Sequence, residues 1–148
     1  MGQKKSSTVV YRDDMVFTGY SSNDHSIPLD AATAFGGHNA GASPMELMLT
    51  ALGGCTGMDV VSILRKKKQD FTNLEIHVSG IRGDEHPKVY TEITVHFKIT
   101  GRGIKESAVT RAIELSRDTY CAAAATLRHT AEITYTHEII EDPTPAGE

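Results

Sequence analysis

The two cysteines, Cys55 and Cys121, are the residues whose type and surroundings best suit redox chemistry in this chain. Each lies among unusually small residues, Cys55 within Gly53–Gly57 and Cys121 directly before a run of alanines. Both segments are predicted to be helical, and small residues allow two helices to approach closely. Two thiols that are distant in sequence are therefore expected to meet in space. A thiol pair in a chain without other cysteines indicates redox chemistry.

The helix that carries Cys55 has the clearest start signal in the sequence. Ser43 is a good N-cap, Pro44 suits the first helical position, and Glu46 completes a capping box. The helix is predicted to run from there to the lysines at 66–68, with apolar residues on nearly all sides. Such a helix should be buried on most sides, which one small sheet cannot achieve. The sequence therefore predicts a dimer with the helices at its shared centre.

Strands and a second helix surround this element. Six strands are predicted, at residues 7–12, 15–20, 26–29, 74–81, 89–99 and 132–140. A long second helix is expected from about Lys105 to His129, with Tyr120 among its apolar positions, and Pro28 favours a sheet edge. The order β-β-β-α-β-β-α-β indicates an α+β fold with an antiparallel sheet. Residues 1–148 are expected to form a single domain, with a frayed tail from about residue 143.

Composition and charge exclude several classes of protein. A formal net charge of −4 argues against a general nucleic-acid binder. No apolar stretch has the form of a signal peptide, and none is expected to span a membrane. The expected location is therefore the cytoplasm. In a reducing compartment, two cysteines are expected to be catalytic or redox-cycling rather than a permanent disulfide.

The helix face around Cys55 is mostly apolar and suits an apolar substrate. On a helical wheel it carries Met48 and Met58 together with Asp59. A reactive Cys55 needs a nearby cation, because apolar surroundings and Asp59 both disfavour a thiolate. The candidate cations are Arg12, Arg102, Arg117 and Arg128. Asp59 could instead bond to backbone or pair with an arginine, and the simplest role of Glu46 is capping.

Other interpretations of the same residues stay open. A zinc site is not expected, because no histidine lies at helical i, i+4 spacing from either cysteine. Met45, Met48 and Met58 are flexible enough to line a pocket for a small hydrophobic ligand at a dimer interface, which would make the protein a binding module. The thiols could also be inert small hydrophobes in a structural dimer.

The chain also resembles a known protein superfamily, OsmC/Ohr. The resemblance covers nearly the whole chain and is carried by the segments Ala42–Leu47, Ala51–Cys55, Asp59–Val61, Arg111–Ser116 and Tyr120–Cys121. It is strongest to the OsmC-like branch in which the first cysteine follows two glycines. The resemblance implies an intertwined homodimer in which two antiparallel sheets wrap around the long central helices.

The resemblance also implies an activity and roles for the two cysteines. The best understood members are thiol peroxidases that reduce organic hydroperoxides in oxidative-stress defence, without a metal or organic cofactor. Cys55 matches the peroxidatic cysteine and Cys121 the resolving one, with Glu46 and Asp59 as supporting residues and an external dithiol as reductant. Two positions depart from the pattern. Met45 follows Pro44 where the peroxidases have a glutamate, and alanines follow Cys121 where Pro-Val-Ser is common.

Overall fold

The computed structural model describes residues 2–145 and 147 of the chain. Its strands are β1 (Ser7–Asp13), β2 (Val16–Ser21), β3 (Ser26–Leu29), β4 (Asp70–Arg82), β5 (Tyr90–Arg102) and β6 (Glu132–Glu141). Its helices are α1 (Pro44–Lys66), α2 (Glu106–Leu115) and α3 (Ala122–Leu127), with a 3₁₀ turn at Thr33–Phe35 and a π turn at Ser116–Tyr120. The predicted α+β class is confirmed. The chain divides into two compact units, Met1–Met48 and Leu49–Glu148.

The first unit contains an antiparallel sheet in the order β1-β2-β3. The predicted edge position of Pro28 is correct, because β3 is the outer strand in the order β1-β2-β3 and Pro28 lies opposite Thr18 of β2. The unit ends in the first turn of α1, where the predicted capping box is present in both directions. The Ser43 backbone N–H donates to Glu46 Oε2 at 2.9 Å, and the Glu46 N–H donates to Ser43 Oγ at 3.2 Å.

The second unit is a three-stranded sheet in the order β4-β5-β6. β4 and β5 are antiparallel, but β6 runs parallel to β5, with Ile93 opposite Ile133. The expectation of a purely antiparallel sheet is therefore wrong. The reason is the connection: the chain leaves β5 at Arg102, passes through the helical segment 106–127 and enters β6 at the opposite end of the sheet, where Glu132 pairs with Glu92, and such a crossover joins parallel strands.

The core of the second unit lies on one face of this sheet. Alternate residues of β5 point inward, so that Ile93, Val95, Phe97 and Ile99 are each at most 1% exposed. Small residues bring α1 close to β4, because a Cβ built on Gly57 would lie 2.7 Å from Ile76 Cδ1. A side chain at this position would force the end of the Ile76 side chain or the helix to shift.

Only one stripe of α1 is buried within the chain, and the expectation of burial on most sides is wrong for a single copy. The outer side is exposed, and Met58 shows 77% of its surface. By length and composition alone α1 would be long and apolar enough to cross a membrane, which corrects the expectation that no segment could do so. The core helix of a globular protein has the same length and composition, and α1 contributes Leu52, Val60 and Leu64 to the core.

The C-terminal residues are held by hydrogen bonds as far as Thr144. Its N–H donates to Asp142 Oδ1 at 2.9 Å, and its carbonyl accepts from Arg102 at 3.2 Å. The predicted frayed tail, from about residue 143, includes these bonded residues. It also includes residues 146 and 148, which lie outside the described residues.

Candidate active site: two thiols beside a buried hydroxyl network

The structure places the two thiols in contact. Cys55 lies about three turns into α1 and is half-buried, whereas Cys121 directly precedes α3 and is 3% exposed. Both are free cysteines, and the Cys55 thiol is within hydrogen-bonding range of the Cys121 thiol. The two sulfur atoms of the chain therefore lie together in the second unit. Cys121 is buried there, and Cys55 is half-buried.

Cys121 is the N-cap residue of α3. Its backbone is extended, with φ −77° and ψ 101°, and its Sγ accepts from the Ala124 N–H at 3.4 Å. The pKa of the Cys121 thiol is raised from 9.0 to about 11 by all its surroundings together, with burial as the largest cause. The Ala124 N–H lowers this pKa, while Cys55 and the Asp59 carboxylate raise it further. Cys121 is therefore a protonated thiol at neutral pH.

The helical segment before Cys121 differs from the prediction. The single helix expected from about Lys105 to His129 is broken into α2, a π turn and α3, because the Cys121 N–H bonds to the carbonyl of Ser116, five residues back, at 2.8 Å. In a continuous α-helix, residues three and four beyond Ser116 would share its face. Tyr120 is instead 59% exposed, and Cys121 takes the buried position. The prediction of Tyr120 as one of the apolar positions of a continuous second helix is therefore wrong.

A network of buried hydroxyls lies directly beside the thiols. Thr56 and Ser116 are fully buried, and their side-chain oxygens are 2.7 Å apart. Ser116 Oγ donates to Asp59 Oδ2 at 2.8 Å. Because a hydroxyl carries one proton, Thr56 must be the donor to Ser116. The residues therefore form a chain from Thr56 through Ser116 to the Asp59 carboxylate.

Sequence reasoning selected Asp59 but missed Thr56 and Ser116. A signal was available, because each occupies a helical position that the apolar spacing assigns to the core. Thr56 follows Leu52 by four residues, and Ser116 follows Ala112 by four. A polar residue in such a position must find a buried partner. The partner could not be identified from sequence, because it lies on another helix.

The remaining predicted residues lie at the start of α1, in the first unit, or along the groove beside α1. Glu46 bonds to the Ser43 backbone at the start of α1, as the capping interpretation predicts. Met45 and Met48 belong to the same unit as Glu46 and are half-buried and exposed, respectively. Met58 lines an open groove of about 760 Å³ between α1 and β4. The groove is mostly apolar, with Arg65 and Lys66 at one end.

The four candidate arginines lie in different surroundings. Arg12 donates to Tyr20 and Thr18 on the first sheet, and Arg102 pairs with Asp70 at 2.7 Å. Arg117 pairs with its neighbour Asp118, at 2.7 Å.

Two of these arginines, Arg117 and Arg128, influence the pKa of Tyr135. Burial, chiefly, and the Cys121 charge raise the pKa of Tyr135, whereas Arg117 and Arg128 lower it. Within residues 2–145 and 147, no group of three or more His, Cys, Asp or Glu side chains could hold a metal ion.

Comparison with known proteins identifies the family. The family model for OsmC-like proteins matches residues 37–136. Protein YhfA of Escherichia coli strain K12 is 38% identical over 132 residues, which cover 89% of this chain and 96% of that protein. The chain belongs to the OsmC-like protein family.

Solved structures share the same fold. A hypothetical protein from Aquifex aeolicus VF5 superposes with a TM-score of 0.84 at 28% identity, covering 95% of this chain and 99% of that chain. An organic hydroperoxide resistance protein from Elizabethkingia anophelis superposes with a TM-score of 0.71 at 15% identity, covering 96% of this chain and 99% of that one. At 15% identity, the similarity to the second of these structures concerns the fold alone.

Proposed function

We propose that this protein is a thiol-dependent peroxidase that reduces organic hydroperoxides. The observation that carries the proposal is the contact between the Cys55 and Cys121 thiols. Membership of the OsmC-like family supports it, as does the shared fold of a protein named for organic hydroperoxide resistance. The proposed setting is oxidative-stress defence in the cytoplasm.

The difference in burial supports different proposed steps for the two thiols. Cys55 is the more accessible sulfur and is the proposed attacking group, while Cys121 is buried beside it and is the proposed resolving thiol, which must lose its proton as it reacts. The Cys55 thiolate attacks one oxygen of the hydroperoxide, the O–O bond breaks, and the alkoxide leaves as the alcohol after taking a proton. Cys55 becomes a sulfenic acid.

The second step closes the disulfide. The Cys121 sulfur attacks Sγ of the Cys55 sulfenic acid, an S–S bond forms, and the hydroxyl leaves as water with the thiol proton. An external dithiol then restores both thiols by exchange and is itself oxidised to a disulfide. The overall reaction converts one hydroperoxide and one dithiol into one alcohol, one water and one disulfide.

The exposed outer side of α1 supports a homodimer as the working form. Met58 is 77% exposed, and the groove beside it is lined by Gly54, Val61 and other small or apolar groups. An apolar surface of this kind on a central helix is expected to be covered by a partner. A second copy of the chain would cover it and would add apolar walls next to the helix that carries Cys55.

Steady-state turnover tests the proposed activity. Cumene hydroperoxide is supplied with dithiothreitol or a dihydrolipoyl compound as the dithiol, and consumption is followed for the wild type, Cys55→Ser and Cys121→Ser. We expect turnover in the wild type, none in Cys55→Ser, and much slower turnover in Cys121→Ser, where the reductant must attack the sulfenic acid directly. Wild-type turnover retained in Cys55→Ser would exclude the assignment.

A second candidate is a binding protein for a small hydrophobic ligand. The groove of about 760 Å³ between α1 and β4 is large enough for a small molecule and is mainly apolar. This candidate predicts that a co-purified apolar ligand is retained in native mass spectrometry, together with an absence of hydroperoxide turnover. Loss of that ligand in Met58→Glu, with the fold intact, would place it in the groove.

A further inference from the structure

Ser116 connects the segment that presents Cys121 to the helix that carries Cys55. Its carbonyl accepts from the Cys121 N–H at 2.8 Å, which closes the π turn. Its hydroxyl donates to Asp59 at 2.8 Å and lies 2.7 Å from the Thr56 hydroxyl. Both of these partners are on α1, at the first and fourth positions after Cys55.

The π turn determines which residue faces α1. An α-helical continuation from Ser116 would place Thr119 or Tyr120 on the buried side, since residues three and four apart share a face. The wider turn places the fifth residue there, and the exposures agree: Tyr120 is 59% exposed and Cys121 is 3% exposed. Isolated π turns of this kind occur often at functional sites.

We propose that Ser116 is a positioning residue that holds the Cys121 sulfur within bonding range of Cys55. Its carbonyl fixes the backbone of the resolving cysteine, and its hydroxyl fixes that backbone to α1 through Thr56 and Asp59. In this proposal Ser116 acts on the reaction through the geometry of the sulfur pair and not through contact with the substrate. This inference deepens the proposed peroxidase function, because it explains how the resolving thiol reaches the attacking one.

A glutathione redox titration measures this positioning without any hydroperoxide. A Cys55 or Cys121 thiolate attacks oxidised glutathione and releases one glutathione thiolate. The other cysteine then attacks the mixed disulfide, releases a second glutathione, and completes the Cys55–Cys121 bond. Two protein thiols are oxidised and one glutathione disulfide is reduced, so the equilibrium reports the effective concentration of one thiol for the other.

Ser116→Ala is the principal variant, with Ser107→Ala as the matched control at an exposed position of α2. We expect the effective concentration to fall roughly tenfold in Ser116→Ala, the scale of one hydrogen bond to a charged partner, and to stay unchanged in Ser107→Ala. An unchanged value in Ser116→Ala, or an equal fall in the control, would overturn the proposal.

Thr56 supplies a second comparison in case Ser116→Ala folds poorly. Thr56→Val keeps the shape and removes the hydroxyl, whereas Thr56→Ser keeps the hydroxyl and removes a methyl group. A positioning role predicts a lower effective concentration in Thr56→Val and rescue in Thr56→Ser. A role in core packing alone predicts the opposite order, because Thr56→Ser leaves the larger cavity, and that result would overturn the proposal.

Hydroperoxide then separates this inference from the proposed function. After one equivalent of cumene hydroperoxide, Ser116→Ala should form the Cys55 sulfenic acid at the wild-type rate but close the disulfide more slowly, so that dimedone traps more of it. Disulfide closure at the wild-type rate would overturn the proposal. If the wild type consumes no hydroperoxide, the proposed function fails, and the positioning role is decided by the glutathione comparison.

Discussion

The buried thiol of Cys121 should ionise far above the range of an ordinary cysteine. Its pKa is raised from 9.0 to about 11, with burial as the largest cause. At pH 9, about half of an ordinary thiol is ionised, whereas a thiol with a pKa near 11 is ionised to only about 1%. The Cys55→Ser variant isolates this thiol and keeps the largest cause of the shift.

Thiolate absorbance at 240 nm follows the ionisation directly. The Cys55→Ser variant is titrated from pH 7 to 11.5, and the same titration of Cys55→Ser/Cys121→Ser is subtracted, because tyrosinate also absorbs there. We expect a midpoint well above 9.0, and a lower one after Asp59→Asn, since the Asp59 charge contributes to the shift. A midpoint at or below 9.0 would show that Cys121 is not in the dry environment described.

The same shift makes a contribution to stability that depends on pH. Below pH 9 the thiol is protonated in both folded and unfolded chains, and the stabilising contribution of its neutral burial is fully present. Between pH 9 and 11 the unfolded chain loses the proton while the folded chain keeps it, so the contribution is lost as pH rises. One pKa unit corresponds to about 1.36 kcal/mol. The free energy of unfolding should therefore be lower by about 2 kcal/mol at about pH 10.5 than below pH 9. Urea unfolding of Cys55→Ser and of Cys55→Ser/Cys121→Ser at several pH values measures this loss. If the free energy of unfolding fell equally with pH in both variants, the prediction would be contradicted.

Three further changes test separate parts of the structure. Ser43→Ala removes one bond of the capping box and should lower the free energy of unfolding by about 1 kcal/mol, measured by urea unfolding against Ser107→Ala, which should change it by less than about 0.5 kcal/mol. Phe97→Ala empties a fully buried position of β5 and should cost about 3–5 kcal/mol in the same assay, and a cost below about 1 kcal/mol would contradict its central place in the core. Met58→Glu puts a charge on the outer side of α1 and should weaken self-association at least tenfold in sedimentation equilibrium, whereas an unchanged association constant would exclude this face from the proposed homodimer.

Local signals in the sequence were sufficient where structure depends on neighbours along the chain. The Ser43 and Glu46 capping box is present as predicted, because its partners are three residues apart. The strand predicted at residues 89–99 is also present, as β5 (Tyr90–Arg102), because its signal is likewise local.

Features that depend on partners distant in sequence could not be predicted. The periodicity of segment 105–129 fits one continuous helix. No signal within this segment shows that the Ser116 hydroxyl bonds to Asp59 on α1, or that the helix widens into a π turn that buries Cys121. The parallel direction of β6 follows from the crossover connection rather than from the β6 sequence, which alternates like an antiparallel strand. The partner of each buried hydroxyl likewise lies on another element.

A single-turnover oxidation tests the central claim most directly. The fully reduced protein is mixed with one equivalent of cumene hydroperoxide without any reductant, quenched with an alkylating agent, and mapped as non-reduced peptides by mass spectrometry. We expect one equivalent of cumyl alcohol and one disulfide that joins Cys55 to Cys121 within the same chain. Hydroperoxide left unconsumed, or Cys55 oxidised with Cys121 still recovered as the alkylated thiol, would contradict the account.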